Sequence, residues 1–347
     1  MERDPLRKGL LNQRMRKKKK IDTALVYALR KRVDYQWFRI KMPFLILSSR
    51  LRSGVIRTED VILARYDGKS IPSTDTNTRL CVFAHYDPQD KLAEYVRFYI
   101  KALIDLGLAV IFVSSCQRLA LEDVAFLQQF CKHVILKKNI GHDFGSWKVG
   151  IDQIPDLTQC RQLVLANDSV FGPLFDLKDM FDVMEAKGYD WWGVVDSYEH
   201  TYHLQSFFTV YEKKMLSDRD FKLFWDTYQF YSDKRLVVNK YEIGLTKRFK
   251  DKFRVGVYCP YDMLCQNPKT SPSHKRVHWG GDNPMHHYWQ ELISENHCPF
   301  IKRDLLRDNP VESAPLDDWF DFIRDQTQYN PMVIKEYLDR TAMGHRS

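Results

Sequence analysis

The sequence predicts an α/β fold with a mostly parallel sheet, and three observations support this prediction. Four short apolar segments rich in β-branched residues, at 80–84, 109–113, 134–136 and 163–166, are typical of buried strands. Stretches with helical periodicity alternate with them, and polar residues follow each one. Continuous apolar strands must be covered on both faces, so the alternation indicates a parallel sheet flanked by helices.

Two helices are predicted in the connections between these strands. The first has apolar residues spaced along one face: Leu92, Val96, Tyr99, Leu103 and Leu106. Asp87-Pro88 is a candidate N-cap followed by a proline in the first helical position, and Gly107 is a candidate stop. The second helix is expected at 121–131.

The chain outside this pattern is divided by composition. Residues 1–22 form a basic tail, and 23–79 are expected to hold an amphipathic helix at 25–38 and a turn-rich linker at 67–79. The regular α/β pattern begins at about residue 80, after this linker. A helical extension is predicted for 311–347.

Composition excludes several classes of protein. With 44% hydrophobic residues the chain can bury a core, and no apolar run reaches the roughly 18 residues of a membrane helix. Seven cysteines without a CxxC pair argue against a disulfide framework or a zinc ribbon, so a cytoplasmic location is expected.

The positive charge is concentrated at the N-terminus. Residues 1–20 hold nine Lys or Arg against two acids, a balance of +7, which leaves only +1 of the net +8 for the rest. The body is therefore nearly neutral, and no aromatic residues interleave the basic ones, so a nucleic-acid partner is not expected. The tail either contacts an anionic membrane or is a solvated terminus.

Polar residues follow the predicted strands, and the carboxyl ends of parallel strands lie at one edge of a sheet, where ligands of open α/β folds bind. The residues expected at this edge are His85, Tyr86, Asp87, Ser114, Asn139, Asn167, Asp168 and Ser169. We assign them to a nucleotide-type ligand.

A glycine-rich turn, "NIGHDFGSWKVG" at 139–150, belongs to the same edge. Gly141 is expected to allow close approach of a ligand or a positive φ, and a helix starting near Gly145 or Ser146 would offer N–H groups to a phosphate. The turn is neither a dinucleotide fingerprint nor a P-loop. Asp143 lies within it and joins the predicted ligand site.

Later acids and histidines have no clear role from spacing alone. The segment 189–211 predicts two strands around a loop that contains Asp196, Glu199, His200 and His203. A second segment, 240–258, predicts a helix with Glu242 in its early part and then a strand.

Eight strings in register carry a family resemblance: "VFAHYD", "VIFVSS", "NIGHDFGSWKVGI", "LANDSVFGPLF", "DWWGVVDS", "YHLQSFF", "YEIGLT" and "PFIKRDLLRDNP". Together they resemble the rhamnan synthesis protein F family of bacterial glycosyltransferases over about 80–310. The resemblance implies a GT-A-like domain over 80–310, with a Rossmann-type sheet. It also implies transfer of a sugar, in this family typically L-rhamnose from dTDP-L-rhamnose, to a saccharide or a lipid-linked oligosaccharide at the inner face of the cell membrane.

The resemblance also implies a place for a metal ion. GT-A enzymes usually carry an Asp-x-Asp motif at the end of a core strand, where it binds a divalent ion that bridges the diphosphate. Asn167-Asp168-Ser169 occupies that place with only one carboxylate. A Mg²⁺ or Mn²⁺ ion held by Asp168 and His278 is the expectation, and neutralisation of the diphosphate by Lys or Arg is the alternative.

Catalytic and acceptor residues follow from the same resemblance. Glu242 corresponds to the late acid that supplies the base in many inverting GT-A enzymes, and Asp196 is the second candidate. Trp192, His203 and Gln205 are assigned to the acceptor. Two other functions stay open: a metal-dependent sugar-phosphate hydrolase or phosphotransferase that uses the same carboxylates, and a non-catalytic carbohydrate-binding subunit of an assembly.

Overall fold

The computed structural model describes residues 33–49, 54–69, 79–266, 283–310 and 316–344. Its strands are β1 Ile62–Asp67, β2 Arg79–His85, β3 Ala109–Ser114, β4 Cys131–Lys137, β5 Gln162–Asn167, β6 Val170–Phe171, β7 Trp191–Ser197, β8 His203–Leu204, β9 Phe208–Glu212, β10 Val255–Cys259 and β11 Ile301–Lys302. All but β6 and β11, which pair with each other, join one sheet in the order β1-β4-β3-β2-β5-β9-β7-β10, with β8 beside β7.

Helices cover both faces of this sheet. They are α1 33–49, α2 Thr58–Val61, α3 Glu94–Asp105, α4 Leu121–Phe130, α5 His142–Ile151, α6 Leu177–Lys187, α7 Lys213–Leu216, α8 Arg219–Asp226, α9 Lys234–Val237, α10 Ile243–Phe249, α11 Tyr261–Gln266, α12 Pro284–His287, α13 Trp289–Ser294, α14 Arg303–Asp308, α15 Trp319–Gln326 and α16 Met332–Gly344. A wider helical turn, Val238–Glu242, joins α9 to α10. The α/β prediction is confirmed.

The four strands predicted from apolar segments are β2, β3, β4 and β5. They are mutually parallel neighbours, so their carboxyl ends lie at one edge. In register, His85 lies beside Ser114 and Ala84 beside Asn167. The polar residues that follow the strands are therefore brought together, as the sequence predicts.

The rest of the sheet is less regular than predicted. β9 is antiparallel to both β5 and β7, and β10 is parallel to β7. Because β9 reverses direction between them, β7 runs the same way as β5, and Asp196 reaches the same edge as Asp168. β1 pairs antiparallel with β4. It is an edge strand within 23–79, where a helix and a linker are predicted.

The predicted face of α3 is buried, and Gly107 follows its end with φ +84°. The predicted cap is wrong, however. The N-cap is Ala93, and Asp87 lies in a turn well before the helix. Asp87 is instead 2% exposed and paired with Arg340 of α16. A proline after an Asp marks a turn as readily as a helix start.

The terminal helices pack on the sheet. α1 is helical well beyond the predicted end at residue 38, whereas residues 25–32 and most of the 67–79 linker lie outside the described residues. α16 contacts α3, and its Tyr337 is part of the core on that face. The cysteines whose side chains the structure describes are free and buried. Among the described helices, none combines the length and apolar character that crossing a bilayer requires.

Candidate functional site

His85 and Ser114 lie at the ends of β2 and β3. His85 Nδ1 lies 2.9 Å from Ser114 Oγ, and the ring is 2% exposed. Burial lowers the pKa of His85, which favours the neutral ring. Its Nε2 is buried and has no hydrogen-bond partner among the described residues.

Asp168 follows β5 and is 3% exposed. Its Oδ2 accepts a hydrogen bond from Arg303 Nη1 at 3.0 Å and one from the Tyr86 N–H at 3.3 Å. The Tyr95 hydroxyl donates to the Asp168 carbonyl at 3.1 Å and accepts from the same Arg303 nitrogen at 2.9 Å. Asp168 is thus the anionic half of a buried ion pair, while the Tyr86 side chain is exposed.

Asn167 links the neighbouring polar groups. Its Nδ2 donates to Asp143 Oδ2 at 2.9 Å, and its Oδ1 accepts from the Ser169 N–H and hydroxyl at 3.0 and 2.6 Å. Burial and the nearby Asp168 carboxylate raise the pKa of Asp143. Asn167, Asp168 and Ser169, at the end of β5 and just after it, therefore fix the side chains around them as well as facing the edge.

The glycine turn is shaped by Gly141. This residue caps α5 with φ +83°, and a Cβ there would lie 2.8 Å from the Tyr228 hydroxyl. The helix begins at His142, so the predicted start at Gly145 or Ser146 is wrong. Gly145 lies inside α5, where an added Cβ would approach the Ile140 carbonyl to 2.7 Å. Its role is close packing, and the N–H of the capping residue Gly141 already donates to the Tyr231 carbonyl at 3.0 Å.

Lys137 holds the preceding turn in place. Its side chain is fully buried, and Nζ donates to the carbonyls of Lys138 and Ile140 at 2.9 and 2.8 Å. Burial lowers the pKa of Lys137 to about 8. Asn139, predicted to bind the donor, is exposed in this turn.

Asp87 is engaged by the C-terminal helix. Arg340 Nη1 donates to its Oδ1 at 3.1 Å, and the Gln89 N–H donates to the same oxygen at 2.9 Å. Burial raises the pKa of Asp87, but these hydrogen bonds hold it below its ordinary value. This carboxylate is committed to an internal ion pair, so its assignment to a donor nucleotide stays a prediction.

The sequence has a basic cluster of Lys302, Arg303 and Arg307, and the structure brings the first two into the site together with Asp304. β11 pairs with β6, which directly follows Ser169, and so brings Lys302, Arg303 and Asp304 beside Asp168. Lys302 Nζ lies 4.7 Å from the Phe207 ring, and Asp304 accepts from His286 at 3.0 Å. The signal in the sequence is a charged triplet directly after the apolar run 298–301.

Glu242 lies at the same edge, between the wide turn and α10. Its Oε1 accepts from the Ser206 N–H at 3.0 Å and from the Ser206 hydroxyl at 2.7 Å. Ser206 precedes Phe207, whose carbonyl accepts from the Asn167 N–H at 3.1 Å. One short segment therefore connects Glu242 with the residues after β5. Glu242 is partly buried and lies near Lys302: burial lowers the pKa of that amine, and the nearby Asp304 and Glu242 carboxylates offset part of the change.

Asp196 is the penultimate residue of β7 and is 5% exposed. Its Oδ1 accepts from the Tyr261 N–H at 2.7 Å, and burial raises its pKa to about 6. It lines an open cavity of about 450 Å³ together with a second acid, three tyrosines and three apolar residues. The lining is Tyr189, Asp196, Tyr198, Tyr202, Val255, Val257, Pro260 and Asp262.

The predicted acceptor residues are buried. Trp192 is 1% exposed and packs edge-to-face on Phe181, with ring centroids 5.0 Å apart, so its assignment to an acceptor is corrected to a core residue. His203 Nδ1 lies 2.8 Å from the Thr201 carbonyl, and Gln205 Nε2 donates to Asn283 Oδ1 at 2.9 Å. For these two the acceptor role stays a prediction.

The described residues around Asp168 do not fit a metal ion. A guanidinium already donates to one of its carboxylate oxygens, and a cation next to Arg303 would be repelled. In the described ranges no group of three or more His, Cys, Asp or Glu is arranged to hold a metal. His278 lies outside those ranges, so the metal requirement stays a prediction.

Comparisons with known proteins give a family and two curated relatives. The chain is 31% identical over 192 residues to the uncharacterized protein y4gN of Sinorhizobium fredii, covering 53% of this chain and 50% of that protein. It is 29% identical over 231 residues to the virulence protein VirA of Vibrio anguillarum, covering 60% and 74%. The chain thus spans about half the length of the first relative.

Among solved structures, the apo-form glycosyltransferase GlyE of Streptococcus pneumoniae aligns with 76% of this chain and 64% of its own, at 11% identity and a TM-score of 0.34. The rhamnan synthesis protein F family matches residues 110–345, which begins after β2 and extends beyond the resemblance expected from the sequence to include α15 and α16. Since this match covers most of the chain, the protein belongs to the rhamnan synthesis protein F family.

Proposed function

We propose that this protein is a sugar transferase that moves a glycosyl group from a nucleoside diphosphate sugar to a hydroxyl of a saccharide acceptor. Membership of the rhamnan synthesis protein F family supports the sugar-transferase role. The observation that carries the proposal is the position of Glu242, a carboxylate held at the same sheet edge as Asp143 and Asp168.

Glu242 has the contacts expected of a general base. Ser206 donates twice to Oε1, which fixes the carboxylate, and no described residue donates to Oε2. A base that takes the proton of an attacking hydroxyl needs one oriented oxygen within about 3 Å of that hydroxyl. Asp168 is held in an ion pair with Arg303, and Asp143 is bonded to Asn167 among the residues assigned to the donor, so Glu242 is the better candidate for a base on the acceptor side.

The departing nucleotide needs positive charge as its bond to the sugar breaks. We assign this role to Lys302 and Arg303. Among the described residues, Lys302 Nζ contacts the Phe207 ring without a hydrogen-bond acceptor, and the Arg303 side chain donates through Nη1 only. Both cations are fixed beside Asp168 by the pairing of β11 with β6.

The finer assignment follows the family. We propose dTDP-L-rhamnose as the donor, a GT-A type of donor site, and inversion at the anomeric carbon, because a single base on the acceptor side is sufficient for one displacement. The acceptor is a saccharide hydroxyl in a cell-surface polysaccharide of the rhamnan type. Asp196 remains the second candidate for the base.

The test is incubation of the purified protein with dTDP-L-rhamnose and a panel of other nucleotide sugars, with and without a saccharide acceptor. Acceptor-stimulated release of the nucleoside diphosphate supports transfer. Release of free phosphate instead would support a hydrolase or phosphotransferase, and binding without turnover would support a non-catalytic subunit. Repeating the assay with EDTA and with Mn²⁺ tests the metal requirement, and loss of release in EDTA would contradict the role of Lys302 and Arg303.

A further inference from the structure

α1 carries a row of large apolar side chains that face away from the protein. Its members recur at alternating steps of four and three residues, as on one face of a helix. They and their exposed fractions are Val33 65%, Trp37 58%, Ile40 62%, Phe44 74% and Leu47 56%. We call this row the apolar stripe. A single exposed apolar residue is ordinary, but a continuous row on one helix marks an interaction surface.

The stripe is distinct from the face by which α1 packs on the domain. Phe38 is 6% exposed and belongs to the core, and Met42, Leu45 and Ile46 pack against that core. Tyr35 is 8% exposed and stacks on the His200 ring with centroids 4.2 Å apart. α1 is therefore apolar on both sides, and only one side has a partner within the described residues.

Positive charge accompanies the stripe. Arg39 and Lys41 are exposed on α1, and Lys41 Nζ lies 5.2 Å from the Trp37 ring. In the sequence, Arg30-Lys31-Arg32 immediately precede the stripe, and the +7 segment 1–20 precedes them. Trp, Phe and Ile beside Lys and Arg on one helix are the composition of helices that lie in the interface of an anionic bilayer.

We propose that α1 binds the surface of an anionic membrane, with the apolar stripe inserted among the lipid headgroups and acyl chains and the basic residues facing the phosphates. The Tyr35–His200 stack fixes α1 to the loop between β7 and β8, which follows Asp196. Membrane attachment through α1 therefore holds this side of the domain near the bilayer. The proposal does not depend on the chemistry of the site.

The experiment is sedimentation of the full chain with vesicles of phosphatidylcholine mixed with phosphatidylglycerol, and with vesicles of phosphatidylcholine alone. The full chain is expected to bind the mixed vesicles and to be released by salt. The triple variant Trp37→Ser, Ile40→Ser and Phe44→Ser should bind about 100-fold more weakly, since each inserted side chain contributes roughly a factor of ten or less.

A matched control removes three exposed apolar side chains elsewhere. Leu121→Ser, Leu223→Ser and Met263→Ser change residues that are 84%, 45% and 59% exposed, and vesicle binding should not change. A separate variant with Trp37→Leu and Phe44→Leu, in which Ile40 is unchanged, keeps apolar side chains in the stripe and should therefore keep most of the vesicle binding. Nucleotide release with a water-soluble acceptor should be the same in every variant, which separates this proposal from the proposed function.

Two results would overturn the proposal. In one, the triple variant binds mixed vesicles as tightly as the full chain, so that the basic tail or another surface makes the contact. In the other, neither protein binds vesicles and analytical ultracentrifugation finds a dimer that the triple variant dissociates. The apolar stripe would then be a surface for a second copy of this chain.

Discussion

The two halves of the sheet edge hold their polar groups in different ways. At the ends of β2, β3 and β5, the polar side chains bond mainly to one another and to Arg303 and Arg340. At the β7 side, Glu242 and Asp196 accept hydrogen bonds at one oxygen and face Lys302 or an open cavity. The first half is a connected network, and the second holds oriented acids with an oxygen left for a ligand.

This difference suggests a division of labour. A network of buried ion pairs and hydrogen bonds keeps its geometry before a ligand arrives, which suits a site that must receive a charged nucleotide. An acid with one oxygen fixed and one available suits proton transfer. Substitutions in the first half should therefore reduce stability, whereas substitution of Glu242 should reduce turnover.

The largest effect is expected for Glu242→Gln. The amide keeps an oxygen for Ser206 but cannot take a proton, so turnover should fall by roughly 10²–10⁴-fold. Measured kcat for acceptor-dependent nucleotide release checks this, with Glu122→Gln on the exposed face of α4 as the control. The midpoint of urea unfolding should be unchanged. Full turnover in a folded Glu242→Gln variant would remove Glu242 from the mechanism.

The first half of the sheet edge, which holds the connected network, is tested by Arg303→Met. The variant leaves the Asp168 carboxylate buried without its cation, and breaking such a pair costs about 3–5 kcal/mol of unfolding free energy. Arg324→Met removes an exposed arginine whose side chain is 55% exposed and should cost about 0–1 kcal/mol. Denaturant unfolding measures both. Adding Asp168→Asn to Arg303→Met should recover part of the loss, and an additive double variant would mean that the two residues do not interact.

Much of the network half could be predicted from the sequence. Its strands are short apolar runs rich in β-branched residues, which are typical of buried parallel strands. Because these strands are parallel neighbours, their carboxyl ends lie together. The pairing of Asp168 with Arg303 could not be predicted, because 135 residues separate them and no local pattern connects the two. The ion pair between Asp87 and Arg340 could not be predicted for the same reason, since 253 residues separate them.

The other half was harder to predict. Nearly all residues of β9 are buried, so its sequence does not alternate between apolar and polar residues as a half-exposed antiparallel strand does. The sequence therefore did not indicate that β9 is antiparallel to β5. Trp192 was assigned to the acceptor through the family resemblance, but its side chain is buried in the core. Glu242 was identified through family resemblance, and its hydrogen bonds from Ser206 depend on a loop whose position spacing does not determine.

The glycine turn gives an intermediate effect. Gly141→Ala must adopt φ +83° and also places a Cβ 2.8 Å from the Tyr228 hydroxyl and 2.9 Å from Gly145 Cα. Gly107 has nearly the same φ, +84°, with nothing within 4 Å. Gly107→Ala should therefore cost about 1–2 kcal/mol and Gly141→Ala about 2–4 kcal/mol, since only the second adds overpacking to backbone strain. If the two variants lose the same free energy of unfolding in urea, the turn at Gly141 shifts to accommodate the added Cβ without further cost.

The smallest effect concerns the pH dependence of stability at Asp196. Its pKa is raised from the ordinary 3.8 to about 6 because burial penalises the carboxylate, although the Tyr261 N–H partly offsets this. Between these pH values the folded protein keeps a proton that the unfolded chain has released. The stabilisation is therefore complete below pH 3.8 and is lost as the pH rises through about 6.

Asp196→Asn removes this titration and keeps an oxygen for the Tyr261 N–H. Relative to the unsubstituted protein, the variant should have a similar free energy of unfolding near pH 4 and should gain about 2 kcal/mol by pH 7. Asp105→Asn, on the exposed end of α3, should show no such trend. Urea unfolding at several pH values measures the difference. If the difference in unfolding free energy between the variant and the unsubstituted protein is constant with pH, Asp196 titrates as an ordinary surface acid. Asp196 and Glu242 would then differ more than their similar hydrogen bonds suggest. If the gain appears and turnover is retained, Asp196 is a strained structural acid and Glu242 is left as the candidate base.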